Sequence, residues 1–395
     1  MTLWVTKPAN RSKAVQPDIS ISKAPEYRLK WLCLISDCFI RVFTWEEGVS
    51  QVPALKPGSK HAPSEDRLSL EVISLLAPPL ASLLRGLPAG SLRELEEIRM
   101  RAGQPLLLRR GNLEFTVYPG GKIGSDLVKG FPVTPEAVRS SVEIMTRSSI
   151  YAWEDELRNG FLTLRGGHRV GLAGKVVVEG GYVKTVRHIS SLNVRIAKEI
   201  KGVGRKLLPY LIEKSIVQSA LIISPPQAGK TTLLRDLIRI LSSGEPEAGL
   251  AGLNVGVVDE RSELAGCWEG IPQNDLGPRT DVLDCCPKSQ GMVMLLRAMS
   301  PQVIVTDELG RREDITALEE AVNGGVTVIT TVHGQDEQDI KRKPVLRELL
   351  GTGVFRRGVV LSRRQGVGTV ERVWDPATGR DILTAPLVLR GREHA

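Results

Sequence analysis

Aromatic side chains are scarce in this 395-residue chain: six Trp, six Phe and five Tyr, 4% of the whole. That is thin material for a surface on which successive bases stack. The five cysteines, Cys33, Cys38, Cys267, Cys285 and Cys286, form no paired C-x-x-C sets. Neither a zinc site nor a disulfide scaffold is indicated, and they read as the reduced thiols of a cytosolic protein. No apolar run reaches the roughly 20 residues that span a bilayer. The most apolar early stretch, "WLCLISDCFIRVF" from Trp31, contains Asp37 and Arg41 and reads as neither a transmembrane helix nor a signal peptide. No internal repeat occurs at solenoid periods.

What is present is the composition of a soluble globular protein, 42% hydrophobic and 25% charged, in a chain long enough for two domains of ordinary size. A net charge of +8 makes anionic partners plausible: nucleic acid, a phospholipid face or phosphates. Residues 1–65 mix Pro, Ser and Lys without periodicity and end in the linker-like "ALKPGSKHAPSED", so they read as a poorly ordered extension. Residues 66–200 read as a smaller α+β domain. Within it "VTPEAVRSSVEIM" offers Thr134 as N-cap, Pro135 at the first helical position and Glu136 in the first turn. The glycine-spaced β-rich runs from Gly160 to Ala197 predict antiparallel hairpins. From Lys201 to about residue 390 strands and helices alternate, which predicts a parallel α/β sheet covered by helices.

That last region carries the chemistry. The strand "SALIIS" enters the loop Ser224, Pro225, Pro226, Gln227, Ala228 and Gly229, and leaves through Lys230, Thr231 and Thr232 into a helix with leucines at helical spacing. Such a loop aims backbone N–H groups and a helix N-terminus at phosphates. Gly229 permits close approach, Lys230 meets the phosphates, and Thr231 offers a hydroxyl to Mg²⁺. Ser224 replaces the first glycine of G-x-x-x-x-G-K-[ST], where a serine turns the chain with some strain. "RVGLAGKV" also contains a Gly-Lys pair, Gly174-Lys175, but Val176 has no hydroxyl and no helix follows.

About 75 residues on, "PQVIVTDELG" is an apolar strand ending in Asp307-Glu308. There an Asp can hold Mg²⁺ through water while the Glu polarises the attacking water. "NVGVVDERSE" ends in Asp259, Glu260 and Arg261, with Glu260 an alternative to Glu308 for the water. "VTVITTVHG" ends in Thr330, Thr331 and His333, the last a candidate γ-phosphate sensor. A strand intervening between the loop and Asp307-Glu308 suits the NTPase class with a catalytic glutamate. No N-K-x-D sequence is present to read guanine, which favours ATP. Arg261, Arg279, Arg311 and Arg312 are candidates for contacts to a neighbouring subunit's nucleotide.

Beyond these motifs, "LEEIRMRAGQPL", "SSIYAWEDELRNGFLTLRGGHRVGLAGKV", "ISSLNVRIAKEIKG", "VVDERSELAG", "TDVLDCCPKSQGMVMLLRAMSPQVIVTDELG" and "TTVHG" together resemble the stage III sporulation protein AA ATPases, relatives of the type II and type IV secretion ATPases. The resemblance runs from about Leu68 to Asp375. It implies a RecA-like P-loop core with a smaller N-terminal domain, ATP and Mg²⁺ as ligands, and a homo-oligomeric ring such as a hexamer. It also implies a cytoplasmic place in the mother cell, with peripheral attachment through membrane proteins of the stage III sporulation channel. Against the family's "GPPGTGKTT", Ser224 and Ala228 depart. Asp259-Glu260-Arg261 maps to the acidic box, Asp307-Glu308 to Walker B, and Thr331–His333 to the histidine box. In "GGHRVG", His168 and Arg169 are candidates for nucleotide contact, Arg169 in a neighbouring active site, although a tight glycine turn explains the motif equally. The extension has no counterpart there and fits a start assigned upstream of a functional beginning near Asp66. Two rivals stay open. One is a nucleic-acid-dependent ATPase, disfavoured by the few aromatics and the lack of a recognised module, so that no specific nucleic acid is expected. The other is a non-hydrolysing scaffold that nucleotide stabilises, for which Ser224 is the support.

Overall fold

Alternation of apolar and charged residues in "EIRMR" puts Ile98 and Met100 on one face of a strand and Arg99 and Arg101 on the other. The computed structural model describes residues 32–34, 38–40, 70–88, 90–147, 153–384 and 386–388. Met1–Ala62 and Pro63–Ala395 are separate units. In the first, Leu32–Leu34 pairs antiparallel with Cys38–Ile40, and the expected extension over 1–65 otherwise lies outside the described residues.

In the second unit, β1 (Glu97–Arg101), β2 (Leu107–Arg110), β3 (Leu113–Val117), β4 (Ile123–Gly124), β5 (Phe161–Thr163), β6 (Arg169–Glu179) and β7 (Tyr182–Arg195) form one sheet. Its order is β4-β3-β2-β1-β7-β6-β5 and every pairing is antiparallel. One face buries Ile98, Met100, Leu108, Val170, Leu192 and Val194 against Leu80 and Leu84 of α1 (Pro78–Arg85) and Val138 and Val142 of α2 (Pro135–Met145). Each such burial stabilises by roughly 1.5–3 kcal/mol. Helix α2 starts where its cap residues predict: the Thr134 hydroxyl accepts from Ala137 N at 3.1 Å, with Pro135 next. The opposite face carries Arg99, Arg101, Arg109 and Arg195, with Glu97 between Arg99 and Arg109.

The second sheet contains β8 (Ala220–Ser224), β9 (Val255–Asp259), β10 (Thr280–Asp284), β11 (Val303–Thr306), β12 (Thr327–His333), β13 (Arg357–Ser362), β14 (Thr369–Trp374) and β15 (Leu387–Val388). Its order is β10-β9-β11-β12-β8-β13-β14-β15, parallel from β10 to β13 and antiparallel thereafter. Both faces are covered, as a parallel sheet requires. Ala220, Ile222, Val257 and Val305 pack with Leu233, Leu234 and Leu237 of α3 (Lys230–Ser243). Leu221, Ile223, Val258 and Ile304 pack with Met292 of α4 (Lys288–Ala298) and Leu318 of α5 (Arg312–Asn323). Two motif-bearing strands, β8 and β11, are separated in space by β12, which ends in His333; β9 and β10, the two strands between them in sequence, lie beyond β11. This is the helix-covered parallel α/β sheet that the alternation of strands and helices predicts. It brings the carboxyl ends of β8, β9, β11 and β12 to one edge, where open α/β sheets bind ligands.

Candidate active site

Strand β8 runs wholly buried to Ser224, which stays in register beside His333 and donates its hydroxyl to Pro225 O at 2.8 Å. The strain expected at Ser224 is not found there. The left-handed backbone falls at Gln227 (φ 59°), which replaces the second glycine of the family pattern and is a third departure from it beside Ser224 and Ala228, and at Gly229 (φ 90°). A non-glycine residue in that region costs on the order of 1–3 kcal/mol. The turn between β13 and β14 holds the loop from outside: Gly368 N donates to Ala228 O at 3.1 Å and Arg363 Nη1 to Gln227 Oε1 at 3.3 Å.

Helix α3 begins at Lys230 itself, so the lysine stands where the helix dipole favours an anion. Its ammonium, with the residue 8% exposed, lies 2.9 Å from Glu308 Oε1 and 3.0 Å from His333 Nδ1. The other Glu308 oxygen is 3.2 Å from Arg261 Nη1. Burial alone would raise the Glu308 carboxyl. The hydrogen bond and charge of Lys230, with the charges of His333 and Arg261, outweigh that and hold it below the usual carboxylate range. Its backbone is bent into the left-handed region (φ 32°) and anchored by donation to Thr331 Oγ1 at 3.0 Å.

Asp307, one residue earlier, is 4% exposed. Its Oδ1 has no hydrogen-bond partner; the Lys288 ammonium is 3.5 Å away and also pairs with Glu260. Burial raises the Asp307 carboxyl, Lys288 opposes this, and Glu263 and Glu308 add to the rise. Glu260 further has Arg311 at 3.9 Å, an exposed residue.

Asp259 turns the other way. Fully buried, it accepts from Glu263 N, Leu264 N and Ala265 N at 2.8–2.9 Å and so shapes the loop after β9. Burial pushes its carboxyl up to about 6 despite those N–H groups. This loop joins the two sheets. Arg169 Nη1 donates to Arg261 O at 2.7 Å, lies 3.1 Å from Glu263 Oε1, and its guanidinium sits 3.7 Å over the Phe161 ring. Arg235, one turn after Thr231 on α3, donates to Leu264 O, Glu263 O and Lys198 O at 3.0, 2.8 and 3.3 Å. Gly166 N donates to Gln273 Oε1 at 3.0 Å.

The structure therefore brings Lys230, Glu308, His333 and Arg261 together, with Asp307 and Glu260 alongside; Thr231 follows Lys230 in the first turn of α3. Several candidates lie elsewhere. Arg279 precedes β10 at the opposite edge of the sheet, its guanidinium on Ser242 O at 2.9 Å. Arg312 is exposed and pairs with Glu348 at 3.6 Å. Thr232 faces the linker residues Ile200 and Lys201. His168 is 1% exposed and accepts from Ala197 N through Nδ1 at 3.0 Å, behind a turn whose Gly166 and Gly167 have φ 86° and 75°. Arg169 and Arg261 are engaged within their own chain. Sequence spacing does not single out Lys288, Arg235 or Arg363. For Lys288 the available signal is a lysine directly after a proline at the head of an apolar helix, where a cation opposes the dipole.

The sequence matches the profile of the family described as "Sporulation stage III, protein AA" over residues 68–380. It is 43% identical to stage III sporulation protein AA of Bacillus subtilis (strain 168) over 306 residues, 77% of this chain and 94% of that protein. An uncharacterized protein ycf45 of Cyanidium caldarium is 30% identical over 183 residues, 46% of this chain and 50% of that one. Among solved structures, the X-ray structure of the Legionella pneumophila ATPase DotB is 15% identical, with a TM-score of 0.44, covering 82% of this chain and 78% of that one. The chain belongs to the sporulation stage III, protein AA family.

Proposed function

We propose that this chain is a Mg²⁺-dependent ATP hydrolase whose cycle drives assembly or operation of a channel between mother cell and forespore. In this reading it works as a homo-oligomeric ring, a hexamer, on the cytoplasmic side in the mother cell. It attaches to the membrane through membrane proteins of the stage III channel. Among the described residues no helix is long and apolar enough to cross a membrane.

The observation that carries the reading is the 2.9 Å approach of Lys230 to Glu308 at the head of α3, with Asp307 next to it. Phosphates entering the loop compete for the Lys230 ammonium. Glu308 then loses its strongest partner, and its ionised oxygen can accept a proton from an attacking water. His333, 2.9 Å from the same oxygen through Nε2, is placed to sense that exchange.

The residues present fit a magnesium ion. Asp307 Oδ1 is a buried acceptor without a hydrogen-bond partner, 3.5 Å from the Lys288 ammonium. Among the described residues no cluster of three or more His, Cys, Asp or Glu makes a cage. Mg²⁺ commonly takes one or two protein oxygens and completes its shell with water and phosphates. Thr231 and Asp307 would hold it, and bound there it would neutralise charge across the β- and γ-phosphate oxygens. A cleft of about 730 Å³ beside Gln227 and Arg363, walled on the other side by Arg99, Arg109 and Arg195, has room for base and ribose.

The test is steady-state ATP turnover across protein concentration, for the parent and Glu308→Gln. The parent is expected to hydrolyse ATP with a rate per chain that rises with concentration as rings form. Glu308→Gln is expected to bind ATP and lose about 10²–10⁴-fold in turnover. Parent-level hydrolysis by Glu308→Gln would remove that residue's role, and a parent that binds ATP without turnover at any concentration would make it a scaffold.

A further inference from the structure

We propose that Lys288 is a positioning residue of the nucleotide site, a cation carried by the protein that fixes the metal-holding Asp307 and keeps Glu260 from competing for the attacking water. The inference rests on the ATP-hydrolase reading above.

Three physical terms stand against a lysine in this place. Lys288 is the first residue of α4, following Pro287, and no side chain caps that end; a cation at a helix N-terminus faces the positive end of the dipole. It is 5% exposed, so its ammonium is largely stripped of water. Its four-carbon stem is held in one conformation, with the entropy loss that brings. A methionine would fill the same space without the first two penalties. The carboxylates in ion-pair reach are those of Glu260 and Asp307, which follow the neighbouring strands β9 and β11. The compensation for a buried cation thus comes from the site alone, and helix and core packing do not explain the residue.

The geometry also separates two carboxylates that sequence spacing leaves equivalent. Glu260 has Lys288 on Oε2 and Arg311 at 3.9 Å from Oε1, so cations face both of its oxygens. Glu308 has Lys230 on Oε1 and Arg261 at 3.2 Å from Oε2, and Lys230 is the cation that incoming phosphate draws away. Glu260 keeps both of its cations while Oε1 of Glu308 is released. With Glu260 held on one side, the Lys288 ammonium stands 3.5 Å from Asp307 Oδ1 and so fixes the turn of that carboxylate, leaving its other oxygen for a hydrated metal.

The test measures binding of a fluorescent ATP analogue with Mg²⁺ and with EDTA, for the parent, Lys288→Met and Lys288→Arg, each checked for a cooperative melting transition. In the parent Mg²⁺ tightens binding. Lys288→Met is expected to shrink that gain about tenfold, as loss of partners to metal-holding groups does, while affinity in EDTA stays within about threefold. Lys288→Arg is expected to recover most of the gain. An undiminished Mg²⁺ gain in Lys288→Met overturns the inference and leaves the ATP reading standing. Should Lys288→Met fail to melt cooperatively, Lys288→Gln takes its place with the same two outcomes. A parent that binds no nucleotide in either condition overturns the ATP reading itself, and this inference with it.

Discussion

The chain contains Gly-Lys at two places that the fold treats in opposite ways. Gly174-Lys175 lies in β6, at a bulge between Ala173 and Lys175. A side chain on Gly174 would come within 2.8 Å of Arg187 O and His188 O on β7, and Lys175 points into solvent. Gly229-Lys230 ends a loop at the head of a 14-residue helix, with the lysine drawn in against Glu308. In β6 glycine is required so that two strands can approach. At the loop it is required by a φ of 90° and by Val367, 3.0 Å from where its Cβ would be. The dipeptide carries no function by itself. The element that comes next in the chain decides whether its lysine meets water or a carboxylate and an imidazole.

The strongest way to break this contrast is to remove each lysine in turn. Lys230→Ala is expected to lower kcat/KM for ATP about a thousandfold, roughly 4 kcal/mol of transition-state stabilisation, with Lys175→Ala within about twofold of the parent. Equal losses would erase the distinction.

Next in size is a property of the small sheet alone. Burial draws the His168 imidazole down to about 4, from an ordinary 6.5. Its Nδ1 already accepts from Ala197 N, so a second proton has no place to point. Because the folded value lies below the unfolded one, the unfolded chain takes up the proton first. The stability contributed above pH 6.5 is lost as pH falls toward 4, on the order of 3 kcal/mol. Asp259, raised to about 6, pulls the other way over the same range, so the informative quantity is the difference between parent and His168→Gln. Thermal unfolding from pH 7.5 to 4.5 should show the parent losing its advantage over the variant. A constant difference would refute the assignment.

The smallest effect separates the two glycines. Gly174→Ala is expected to lower stability by about 2 kcal/mol through overpacking, with ATP affinity unchanged. Gly229→Ala is expected to lower stability by about 1 kcal/mol while weakening ATP binding at least tenfold. Calorimetry and nucleotide binding on both variants give the comparison.

Much of the fold can be read along the chain because its signals are local. Thr134 and Pro135 start α2 by their own chemistry, and the apolar runs of β8, β9, β11 and β12 mark buried parallel strands. The Lys230 and Asp307-Glu308 motifs come from spacing in the same way. Other features depend on which strands become neighbours. That β12 lies between β8 and β11 is what sets His333 against Lys230, and nothing in the linear order requires it. Arg279 shows the same limit: it is near the motifs in sequence, but it precedes its strand and so stands at the far edge. Gln227 shows a different one, since replacing a glycine whose φ is positive leaves the spacing of the motif intact. Lys288 and Arg235 have partners drawn from other elements, so their roles exist only once the chain has closed.

Arg235 grips three carbonyl oxygens, one on the segment leaving the small sheet and two on the loop after β9, from a point a single turn beyond Thr231. A flat guanidinium fastened at three points cannot pivot freely. On the proposed function, a tilt of α3 on nucleotide binding would be handed to both attachments at once, with little lost motion between them.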